Sequence, residues 1–150
     1  MKVPAWIMSI TDTVSVSVGE FELVHILTDT PVLFTVPTAP NYCQQVFVWQ
    51  NKIIPVMNLA TRFGLPEKSD NFIVSIFAYR TEKTEQIEYG ALFLTATPSR
   101  IEVGNTQACP LSTNLTAWTP YIRCCFQDTK TKKATPILNL ERLFASQNNL

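Results

Sequence analysis

A ten-residue phrase occurs twice in the chain. Ile54-Pro55-Val56-Met57-Asn58-Leu59-Ala60-Thr61-Arg62-Phe63 returns as Thr135-Pro136-Ile137-Leu138-Asn139-Leu140-Glu141-Arg142-Leu143-Phe144, with the two prolines 81 residues apart. Each copy has Pro, two apolar residues, Asn and Leu, then a stretch ending at Phe. Asn is a good helix N-cap, and Leu59 with Phe63, or Leu140 with Leu143 and Phe144, then share one helical face. Gly64 stands where a helix C-terminus needs the left-handed conformation. Each copy therefore reads as a strand end, an Asn cap and a short amphipathic helix.

The repeat extends upstream, where Thr38-Ala39-Pro40-Asn41-Tyr42 resembles Thr116-Ala117-Trp118-Thr119-Pro120-Tyr121. Two copies are too few for a solenoid, so the expectation is one duplicated unit: two similar β half-barrels, each plugged by a small helix. The apolar runs support an all-β reading. They are short, rich in Val, Ile, Thr and aromatics, and broken by Pro, Asn or charged turns. Ile7–Ile10 and Val14–Val18 alternate across a Thr11-Asp12-Thr13 turn. Phe21–Leu27 fits a strand or a short helix. Val32–Val36 reads as a strand closed by Pro37 and Pro40. Val46–Trp49 and Lys52–Ile54 flank Gln50-Asn51, a two-residue hairpin signal. Phe72–Tyr79 and Gly90–Ala96 are further strands, and Ile122–Phe126 pairs with Ala134–Leu138 across a Lys-rich turn. No linker separates the halves, so residues 1–150 are expected to form one domain.

Composition narrows the function classes. Hydrophobic residues make up 46% and charged residues 16%, enough for a core with apolar surface to spare. Twelve basic and twelve acidic side chains balance, whereas a nucleic-acid binder draws its affinity from an excess of Lys and Arg. No run approaches the roughly 20 apolar residues of a membrane span, and Met1–Ile10 lacks the longer apolar region of a signal peptide. Cys43, Cys109, Cys124 and Cys125 show no metal-ligand spacing; the adjacent pair reads as small buried hydrophobes. The expectation is a cytoplasmic protein with reduced thiols, without cofactor or metal. Catalysis has few candidates. His25 is the single histidine, the four glycines lie far apart, and Asp12, Asp29, Asp70 and Asp128 fall in predicted turns. No catalytic residue is assigned.

Four consecutive apolar residues, Val46-Phe47-Val48-Trp49, send two side chains to each face of a strand. Both faces must then be covered, either by the other half, as in the central strand of a closed barrel, or by a partner protein docking on the outer face through an aromatic anchor. The same residues carry a resemblance. Val36-Pro37-Thr38-Ala39-Pro40-Asn41-Tyr42, then Val46–Leu59, then Arg62-Phe63-Gly64-Leu65, resembles the signature of CheW-like domains. Gly90–Phe93 and Pro136–Phe144 continue it more weakly. The resemblance implies two intertwined five-stranded β-barrel subdomains, SH3-like or OB-like, with short helical plugs. It further implies a non-enzymatic chemotaxis adaptor whose partners are the regulatory domain of a CheA-type histidine kinase and the cytoplasmic helix tip of a chemoreceptor. Contacts are expected from Tyr42, Phe47, Trp49, Gln50 and Ile53, with Pro37, Pro55, Asn58 and Gly64 shaping the site. Gln50-Asn51 replaces the family's Arg-Gly, Gln45 a Gly, and Asn58 and Thr95 two Asp. Such neutralised positions fit an auxiliary member, as in pilus-type (twitching) chemosensory systems. The competing expectation is a small-ligand or peptide sensor on the same double barrel.

Overall fold

The computed structural model describes residues 1–66 and 72–145; the predicted turn at Asp70 lies outside them. Eleven strands are described: β1 (Lys2–Ser9), β2 (Ser15–Gly19), β3 (Leu23–Ile26), β4 (Phe34–Thr35), β5 (Gln45–Trp49), β6 (Lys52–Met57), β7 (Ile73–Arg80), β8 (Ile87–Leu94), β9 (Ser99–Gly104), β10 (Ile122–Gln127) and β11 (Ala134–Leu138). Two short helices, α1 (Leu59–Arg62) and α2 (Leu140–Ala145), follow β6 and β11. A 3-10 turn at Asn41–Cys43 precedes β5, and a run of 3-10 turns over Thr113–Tyr121 precedes β10.

The strands form two sheets, in the orders β10-β11-β2-β1-β9 and β3-β7-β8-β6-β5-β4. Read in reverse from β5, the second order reproduces the first. β6 lies parallel to β8 as β11 lies parallel to β2, and the outer pairs are antiparallel. The duplication holds residue by residue: Val46 faces Pro55 and Phe47 faces Ile54, while Cys125 faces Pro136 and Phe126 faces Thr135. The halves are interleaved, because β1 and β2 complete the sheet built from β9, β10 and β11. Neither ladder closes into a ring among the described residues.

Strand alternation sorts the apolar side chains into three cores. Phe47, Ile54, Val56, Val74, Ile76 and Ala91 fill the first half. Ala5, Val103 and Phe126 fill the second with smaller side chains. A larger core lies between the halves, with Met8, Val16 and Val18 from one sheet and Phe77, Leu92 and Leu94 from the other. The helices belong to this third core, which corrects the expectation that each plugs its own half-barrel. Leu59, Leu140 and Leu143 are buried there. The Phe that ends each repeat reaches across: Phe63 stacks on Trp118 with centroids 4.3 Å apart, and Phe144 stacks on Tyr79 at 5.8 Å.

Several boundaries differ from the sequence expectation. Phe21–Leu27 resolves as strand β3, since His25 and Ile26 pair with β7. Val32–Val36 contributes only the two residues of β4. β9 was unforeseen: Ile101 and Val103 are its only large apolar residues, and its register is set by pairing with β1.

Candidate functional site

The β5–β6 hairpin presents the clearest candidate surface. Its two-residue turn has φ of 48° at Gln50 and 62° at Asn51, both left-handed, as a type I′ turn requires. That turn sets the register, with Trp49 opposite Lys52, Val48 opposite Ile53 and Phe47 opposite Ile54. The Phe47–Ile54 pair faces inward, and Phe47 is 1% exposed. Phe47 is therefore a core residue, held by Val74, Ile76 and Ala91, and not the contact residue expected from sequence. The outward face carries Val48, 63% exposed, and Ile53, 73% exposed. Pro55 and Val46 pair on the same face, and exposed Phe34 on β4 pairs with Val46. A continuous apolar strip results. Val48 and Phe34 escaped the sequence reading, although a two-residue turn already places Val48 beside Ile53.

Trp49 points inward like Phe47 but sits at the end of the half, where it is half-buried. It stacks with exposed His25 at 6.2 Å and meets Tyr89 edge-on at 5.8 Å. The Lys52 ammonium lies 5.3 Å from the Tyr89 ring centroid, within cation–π range. Gln50 and Asn51 are exposed at the tip.

Tyr42 belongs to a second locality, where the halves meet. The Arg62 guanidinium lies 4.8 Å from the Tyr42 ring centroid and 4.4 Å from that of Tyr121. Its Nη1 also donates to the Leu143 carbonyl at 2.7 Å. Both tyrosines hold a repeat phrase in place: the Asn58 amide donates to the Tyr42 carbonyl at 2.8 Å, and the Asn139 amide donates to Tyr121 at 2.8 Å. Each Asn then caps its helix, Asn58 Oδ1 accepting from the Thr61 amide at 3.1 Å and Asn139 Oδ1 from Arg142 at 3.2 Å. Arg62 and Tyr121 were missed by sequence reasoning, yet Tyr121 is the repeat mate of Tyr42. Gly64 has φ of 67° beyond α1. Pro37 is exposed in a turn where Thr38 takes φ of 67°, away from the hairpin register.

Among the described residues, no three His, Cys, Asp or Glu side chains cluster closely enough to hold a metal ion. Cys124 is exposed, contrary to the expectation of two buried thiols; only Cys125 of the pair is buried, with the Cys109 segment packed against it. The Cys125 thiol lies 3.7 Å from that of Cys109. Burial pushes it up to about 12, with the Cys109 hydrogen bond acting in the same direction, so it is a poor nucleophile. No described helix is long and apolar enough to cross a membrane.

Comparison with known proteins agrees with this architecture. No curated protein matches the sequence. Among solved structures, the crystal structure of the scaffolding protein TtCheW from Thermoanaerobacter tengcongensis superposes with a TM-score of 0.75 at 19% identity. The match covers 96% of this chain and 93% of that one. A likeness at that identity speaks for the fold. The CheW-like domain model matches residues 21–148, from just before β3 to beyond α2. The chain belongs to the CheW-like domain family.

Proposed function

We propose that the protein is a non-enzymatic adaptor in chemosensory signalling. It docks the regulatory domain of a CheA-type histidine kinase through the outer face of the β5–β6 hairpin, with a chemoreceptor helix tip as the further partner, received between the halves. The observation that carries this reading is the exposed Val48–Ile53 pair, continued by Phe34, Val46 and Pro55. An apolar strip of this kind on an otherwise charge-balanced surface marks an interaction site. Gln50 at its edge supplies neutral hydrogen bonding where the family's Arg would supply charge. Trp49 braces the hairpin from within, and Pro55, Asn58 and Gly64 set its path. The 150 residues act as one unit, since the shared core joins both halves.

The test is co-migration on size exclusion of the purified chain with the regulatory domain of a CheA-type kinase from the same cell. Ile53→Glu places a charge at the centre of the strip and is expected to weaken binding by about 30-fold, roughly 2 kcal/mol, without lowering the melting temperature. If the wild type fails to bind at about 50 µM, a weak interaction of only about 6 kcal/mol, while a standard adaptor binds, the kinase reading is wrong. Unchanged binding by Ile53→Glu would refute the assigned face.

A further inference from the structure

The duplication gives each position in one half a counterpart in the other, and one pair of counterpart sites has diverged in chemistry. In the first half, the end where β6 runs beside β8 forms a half-open pocket of about 350 Å³ between Lys52, Ile53, Ile54, Ile87, Glu88 and Tyr89. The equivalent end of the second half, where β11 runs beside β2, encloses about 320 Å³. There Lys133 stands for Lys52, Thr135 for Ile54, Thr13 for Ile87 and Ser15 for Tyr89. One step deeper on the same face, Ser17 stands for Ala91. The lysine is kept, Ile54, Ile87, Tyr89 and Ala91 have become hydroxyl residues, Ile53 has become Ala134, and the acid Glu88 has become Val14.

Such a substitution is unfavourable for folding alone, because a buried hydroxyl without a partner costs free energy. Ser17 is fully buried, and its Oγ has no hydrogen-bond partner among the described residues. Thr135 is 1% exposed, and its hydroxyl reaches only the Lys133 carbonyl, at 3.4 Å. The Lys133 ammonium makes a long 3.4 Å contact with the Thr13 carbonyl. Among the described residues no carboxylate lines the cavity. Of the nearest acids, Asp12 is exposed on the flanking turn. Asp128 is engaged within its own turn, accepting from the Thr131 hydroxyl at 2.9 Å. Asn114 and Leu115, from the start of the 3-10 run, close the cavity with Ser112 on a side that has no counterpart around the first site.

We propose that this cavity binds a small organic oxyanion, a carboxylate or a phosphate monoester. Lys133 takes the anionic group, the Thr13, Ser15 and Thr135 hydroxyls donate to its oxygens, and Val14 with Leu115 covers a short apolar body. The volume lies at the small end of ligand sites. This site is separate from the hairpin strip and stands or falls independently of kinase docking.

The test uses the full chain, amide NMR spectra and thermal shift. Probes are succinate, glutamate and glycerol 3-phosphate at about 10 mM, enough to populate a millimolar site, with sodium chloride at matched ionic strength as the control. At least one probe is expected to raise the melting temperature beyond the salt control and to shift amides in 13–17 and 133–135. A response to the carboxylates alone, or to the phosphate alone, identifies the anionic group. Lys133→Met, an exposed change compatible with folding, is expected to reduce affinity at least about tenfold. Thr135→Ile, which restores the first half's residue, is expected to abolish binding while keeping the fold. Responses no larger than those to sodium chloride, or unchanged affinity in Lys133→Met, would overturn the proposal.

Discussion

Asn51 sits at φ 62° beside Gln50 at 48°, so two side-chain-bearing residues share a turn best served by Asn-Gly. Asn tolerates the left-handed region, but Gly adopts it without the Cβ penalty. Asn51→Gly should therefore raise stability by about 0.5–1 kcal/mol, read as a higher urea midpoint at unchanged slope; a lower midpoint would contradict the turn geometry. The turn itself was legible, as was the Asn58 cap, because both depend on neighbours within a few residues. Which hairpin face is buried was not legible. Phe47 and Val48 are adjacent apolar residues, and only the position of β7 and β8 turns Phe47 inward.

At the scale of elements, α2 shows how the halves are locked. The tip of the Phe144 ring abuts Gly90 of β8, where an added Cβ would lie 2.5 Å from Cζ. The absence of a side chain at Gly90 is thus what lets α2 dock against the opposite sheet. Gly90→Ala should cost about 1–3 kcal/mol through overpacking, measured by thermal or urea unfolding. Gly64→Ala, which has open space and only a positive φ to oppose it, should cost no more than about 1–2 kcal/mol. Equal effects would mean that the Phe144 contact adds nothing. The sequence pattern marked both helices correctly by cap and apolar spacing. It assigned them to the wrong neighbours, since a 3.6-residue stripe declares that a face is buried without saying against what.

The whole molecule depends on its interleaving. The family match begins at residue 21, yet β1 and β2 supply Met8, Ile10, Val16 and Val18 to the core between the halves. They also form the middle of the β10-β11-β2-β1-β9 sheet. A chain lacking residues 1–19 should therefore lose cooperative unfolding altogether, read by circular dichroism and heat, although it keeps nearly all of the recognisable signature. A sharp transition close to that of the full chain would show that the two strands are dispensable.

The resemblance to CheW-like domains needed the first copy together with its upstream residues 36–49; the repeated phrase, taken alone, determined that a unit is duplicated and that each copy is a strand followed by an Asn-capped helix. These are local properties, carried by caps, turns and periodicity. Only the tertiary structure decided that β1 and β2 complete the second half and that each terminal Phe packs on the opposite one. It also decided that Val48 and Ile53, not Phe47, face solvent, and that Ser15, Ser17 and Thr135 converge where the first half has Tyr, Ala and Ile. The reason is physical. Burial belongs to the contact between segments about 80 residues apart, and alternation within one strand names two faces without ranking them.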